Sequence, residues 1–121
     1  MGKFEFRSST LELDIAGNKF EVCVSDPAVV GRVQRLAAEA TNRAAAVDGQ
    51  KDVSVQLSEL IDFCDRAVDE MLGPGSSEKV YTGRTVSIFD RLDVIGYVWR
   101  AFADFQRDQL SQYSAERAER K

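Results

Sequence analysis

Leu11-Glu12-Leu13-Asp14-Ile15-Ala16-Gly17-Asn18-Lys19-Phe20-Glu21-Val22-Cys23-Val24 is the stretch that decides the fold. Apolar and polar residues alternate on both sides of Gly17-Asn18, and a period of two with one apolar face marks a half-buried strand. With glycine first, Gly17-Asn18 suits a two-residue type II′ loop. That loop sets Ile15 opposite Phe20, Leu13 opposite Val22 and Leu11 opposite Val24, so every apolar side chain falls on one side. Asp14 then stands opposite Glu21, a like-charge pair tolerable only on the wet face. Ahead of the hairpin, Phe4 and Phe6 add either an extended lead-in or a third strand.

Helices follow. Asp26-Pro27 opens the first, because Asp is a good N-cap and Pro fits the first helical position. Val29, Val33, Leu36, Ala40, Ala44 and Val47 recur every three or four residues. Ala37, Ala38, Ala45 and Ala46 widen this stripe with small side chains, so another element can approach closely. The polar segment from Asp48 to Asp52 is a loop. A second helix is expected from about Val53 to Leu72, burying Leu57, Leu60, Ile61, Cys64, Val68 and Met71, with Gly73-Pro74 as its stop. Gly75 to Gly83 is expected to be a loop with one helical turn capped by a serine.

The last helix is expected to start near Thr85 or Ser87 and to continue past Leu110. It carries two apolar stripes: Ile88, Leu92, Ile95, Trp99 and Phe102 in one, Val94, Val98, Ala101 and Phe105 beside it. A face that broad exceeds what one contact in a small domain needs. The fold class is therefore α+β, an N-terminal hairpin followed by three main α-helices. One domain is expected over residues 1–113, with a charged, frayed tail over 114–121.

Composition narrows the function mainly by exclusion. The 121 residues are 44% hydrophobic and 30% charged, with a net charge of −4 and no histidine. That length suits a single core, and the apolar content is too high for a wholly disordered chain. No apolar run approaches the roughly 18 residues of a membrane helix. The first residues lack an apolar signal core, and Phe6 stands where a myristoylation signal needs Ser or Thr. A cytoplasmic protein is expected. A pI near 4.9 argues against non-specific nucleic-acid binding, which runs on Lys and Arg neutralising phosphates. Without histidine, Cys23 and Cys64 cannot complete a zinc tetrahedron, and no Ser-His or Cys-His pair can form.

The remaining chemistry-bearing features also have plain readings. Gly83-Arg84-Thr85 lacks the lysine and the upstream strand of a phosphate-binding loop, so a connector using glycine for tight geometry is favoured. Asp62, Asp65 and Asp69 on the second helix, and Asp90 and Asp93 on the third, could hold a metal, but a solvated helix face is the favoured reading. Cys64 belongs on a buried stripe, whereas Cys23 falls on the polar side of its strand with no basic cluster nearby in sequence. Neither a catalytic nor a metal nor a cofactor site is expected. The sharper candidate is the second stripe of the last helix. Val94, Val98, Ala101 and Phe105 could form a partner-binding surface, since aromatic residues on a rigid helix make good interface anchors. Gly96, inside the same helix, points to a close helix crossing.

The order of these parts resembles a known family. An acidic-faced hairpin leads into an Ala-rich helix, then Leu57-Ser58-Glu59-Leu60-Ile61-Asp62-Phe63-Cys64-Asp65. Met71-Leu72-Gly73-Pro74-Gly75-Ser76-Ser77-Glu78-Lys79-Val80-Tyr81-Thr82-Gly83 and a last helix with Phe89, Phe102 and Phe105 follow. From about Phe4 to Leu110 this is similar to the small tail-assembly chaperones of long-tailed bacteriophages and prophages. Leu72 and Tyr81 depart from the family's pattern, which tends to carry Phe before the glycines. The resemblance implies a non-enzymatic protein that binds the tape-measure protein, keeps it soluble and helps recruit tail-tube subunits in the bacterial host cytoplasm. It also fits a homo-oligomer that shields the apolar surface when no client is present. The alternative is a small oligomeric adaptor or structural tail component.

Overall fold

The computed structural model describes the backbone of residues 2–119 and the side chains of residues 2–113. Its elements in chain order are β1 (Thr10–Ile15), β2 (Asn18–Cys23), α1 (Pro27–Ala45), α2 (Val53–Leu72), α3 (Ser76–Tyr81) and α4 (Ile88–Glu119). This is the expected α+β arrangement, and α3 is the helical turn expected in the connector. Among the described residues the sheet has two strands, and Phe4 and Phe6 lie outside it.

The hairpin register differs from the sequence expectation. Leu13 pairs with Phe20, Leu11 with Val22, and Asp14 with Lys19. The loop is Ala16-Gly17, one residue earlier than expected, with positive φ at both residues (56° and 84°). That is the I′ pattern, whose twist matches the flanking strands. The Gly17 N–H donates to Asp14 Oδ1 at 3.0 Å, while the Asn18 side-chain amide donates to the Ile15 and Lys79 carbonyls. Asn18 is thereby drawn into the strand. Because the shift is two residues, every side chain stays on its face. Leu13, Ile15, Phe20, Val22 and Val24 are all buried. The like-charge pair moves to Glu12 and Glu21, and Lys19 offsets it with an ion pair to Glu12 at 3.5 Å.

Helix ends follow local chemistry. Asp26 accepts from the Ala28 N–H with Pro27 at the first position, and Asp52 caps α2 by accepting from the Val55 N–H. At α4, the Asp90 N–H donates to Ser87 Oγ and the Ser87 N–H donates to Asp90 Oδ2, both at 3.1 Å. This reciprocal box starts the helix at the expected place. The serine cap expected in the connector does not form. Gly75, with φ of 81°, precedes α3, and the Ser76 hydroxyl instead donates to the Gly73 carbonyl at 2.6 Å. Asp69 of α2 supplies the acceptor, taking the Ser77 N–H at 2.8 Å.

α2 is the hub, packing against α1, α3, α4 and β2, while α4 packs along both α1 and α2. Phe102, Ile95 and Val98 of α4 join Val24, Val33, Cys64 and Val68 in the fully buried centre. The Gln106 amide reaches across to donate to the Val24 carbonyl, tying the end of the hairpin to α4. The backbone of α4 remains helical to Glu119, past the boundary expected at residue 114. The side chains of the expected tail lie outside the described residues. Among the described residues no helix is long and apolar enough to cross a membrane.

Candidate functional site

The four residues proposed from sequence as a partner surface are divided by the structure. Val98 is completely buried in the core. Val94, Ala101 and Phe105 are half-buried and pack against that core. The second stripe is therefore spent largely inside the monomer, because α4 is gripped by two helices and the hairpin end together. The quartet does not form an exposed surface.

An open groove borders α4 elsewhere. A groove of about 550 Å³ runs between α1 and α4. One wall is built from the small residues Ala37, Ala38, Ala40, Thr41 and Ala44, and the other from Leu92, Ile95, Gly96 and Trp99. Its origin is the Ala-rich stripe seen in the sequence. Small side chains on α1 leave a trough where larger ones would have closed against Trp99. Gly96 corrects the expected close crossing, since a Cβ built there meets nothing within 4 Å. The glycine lies open in the groove wall.

A second cleft, about 480 Å³, lies between the turn end of β1, the α3–α4 connector and the first turns of α4. Ile15, Val80, Val86, Val94 and Tyr97 give it an apolar floor, and Asp14, Asp90 and Asp93 an acidic rim with Arg84. Of the four partner-surface candidates, only Val94 reaches it.

The acidic residues of α2 have separate tasks. Asp65 is partly buried and takes the Arg91 guanidinium at 3.0 Å. Asp69 caps α3, and Asp62 is exposed. Arg91 is a node that sequence reading missed. It also donates to the Val86 carbonyl at 2.8 Å and lies over the Tyr81 ring at 5.1 Å, joining α2, α3 and the connector to α4. The only hint was an arginine one turn into an otherwise apolar stripe. The solvated-face reading holds for Asp62 and fails for Asp65 and Asp69.

The cysteines differ. Cys64 is fully buried, and burial pushes its thiol up to about 11, with Asp65 adding and Arg91 opposing. Cys23 is half-buried on the polar side, and hydrogen bonds from Ser25, backbone first, hold its thiol below the ordinary value.

The hairpin, the helical body and the α1–α4 groove together define a small α+β protein with an open apolar face. A family model described as "Family of unknown function (DUF6673)" matches residues 16–121, and the chain belongs to that family. No curated protein and no solved structure matches it.

Proposed function

We propose that the protein is a phage tail-assembly chaperone that holds a helical segment of a tape-measure protein and aids tail-tube assembly in the host cytoplasm. The observation that carries this reading is the groove between α1 and α4. A helix-binding groove needs an apolar trough with large anchors on one side and room for a backbone on the other. Leu92 and Trp99 are the anchors, and the alanines of α1 give the room. Gln34, Thr41 and Asn42 add a polar border that lets a client leave. The resemblance of the Leu72–Gly83 connector to that family supports the same reading. The work is contact rather than catalysis, in keeping with carboxylates that serve as caps and ion-pair partners.

The test is co-expression with candidate tape-measure fragments. The wild-type protein is expected to keep a fragment soluble. Ala38→Glu, at an exposed groove position, is expected to fold normally and lose that rescue. Rescue by the variant at the wild-type level contradicts the groove assignment.

A further inference from the structure

The residues ahead of β1 present a feature that the groove does not use. Lys3-Phe4-Glu5-Phe6-Arg7 alternates with the period of a strand, yet belongs to no strand. Phe4 and Phe6 are 79% and 90% exposed, with their rings edge to face at 5.0 Å. Their touching rings make one continuous exposed apolar patch, and such patches mark interaction sites.

This arm is steered away from its own hairpin. The Ser8 hydroxyl donates to the Thr10 carbonyl and accepts from the Thr10 N–H, which turns the chain just before β1. Arg7 then donates to Gln109 Oε1 at 2.6 Å and lies over the Tyr113 ring at 5.3 Å, pinning the base of the arm to α4.

Meanwhile, among the described residues, no strand pairs with the outer edge of β1. With Ile15 and Asn18 flanking a two-residue loop, Leu11, Leu13 and Ile15 direct their backbone groups to β2. Glu12 and Asp14 direct theirs outward. At the turn end this edge borders the acidic cleft, with Val94 and Tyr97 in its floor. A strand added there would extend the apolar face of the sheet over that floor.

The geometry points to strand exchange: residues 3–7 of a second copy of this chain add to the outer edge of β1. Three observations select that occupant. The arm has the strand period, with both phenylalanines on one side to meet Val94 and Tyr97. It is net basic, and on the side away from the phenylalanines Lys3 and Arg7, with Glu5 between them, fall on the face of β1 that carries Glu12 and Asp14, with Lys19 beside them. Its length of about 17 Å at 3.3 Å per residue matches the six-residue β1. A reciprocal exchange gives a closed two-fold dimer and covers an edge that would otherwise invite open-ended pairing. The exchange is independent of the chaperone reading.

The test is the solution mass of the full chain by light scattering after size exclusion. The wild type is expected to run with the mass of two 13.5 kDa chains. The double variant Phe4→Ser/Phe6→Ser is expected to run as one chain with unchanged helical circular dichroism, since both side chains are exposed. Glu12→Pro removes an outward N–H and no hairpin bond, and it too is expected to be monomeric. Mixing the two variants restores one arm and one edge, so a weaker heterodimer is expected. A monomeric wild type, an arm variant of undiminished mass, or no association on mixing would each overturn the proposal. If Glu12→Pro does not fold, the arm variant alone decides.

Discussion

Tyr81 and Cys64 lie near one charge pair, and both are held protonated. Burial raises the Tyr81 phenol first, Asp65 adds to it and Arg91 opposes; its hydroxyl has no hydrogen-bond partner among the described residues. Cys64 moves from 9.0 to about 11 for the same leading reason. The sign follows from linkage. Both folded values lie above the unfolded ones, so the folded state keeps protons that the unfolded state releases. Their contribution is complete below pH 9 and is lost as pH rises through the window to about 11 and beyond. Urea unfolding is thus expected to give constant stability up to pH 9 and a decline above it. Cys64→Ala should delay the onset of that decline, because the lower of the two raised groups no longer titrates. Equal stability at pH 9 and 11 would contradict the assigned burial. Cys64 was legible in the sequence because a helical stripe places it. The Arg91 node was not, because its partners lie 26 and 10 residues away and only the fold brings them to one point.

Among the elements, the β1–β2 turn and α4 carry separate tests. Ala16 holds a φ of 56°, a left-handed conformation that costs a residue with a Cβ about 1 kcal/mol. Ala16→Gly is expected to raise stability by about 0.5–1 kcal/mol in chemical denaturation, since glycine adopts that conformation freely. With the type II′ register expected from sequence, Ala16 would be an ordinary strand residue and the same change would destabilise. In α4, Gly96→Ala is expected to gain about 1 kcal/mol by removing a helix-interior glycine, read as a higher melting temperature. A close crossing at Gly96 would make it destabilising. Local signals placed the strands, α2 to its ends, the cap at Asp26 and the start of the last helix near Ser87. The loop position was missed because Gly17 fits either turn. The choice rests on Asp14 and on Asn18, whose amide reaches the Lys79 carbonyl 61 residues away.

At the scale of the whole molecule, α4 has two sides with different fates. Its Ile95–Val98–Phe102 line is sealed by α1, α2 and the hairpin, whereas Leu92, Gly96 and Trp99 remain in an open trough. The excess of apolar surface on this helix was legible in the sequence. Which part stays uncovered was not, because that depends on how the small residues of α1 set the spacing between helices. Val98 was therefore placed on the wrong side of the boundary and the groove alanines were read only as room for packing. The proposed docking of a helical client in this trough can be read by hydrogen exchange of the protein, alone and bound to a soluble tape-measure fragment. Slowed exchange is expected in the segments 34–44 and 92–99, with the hairpin unchanged. Protection confined to the hairpin and the cleft beside β1, with the groove segments unaltered, would contradict it.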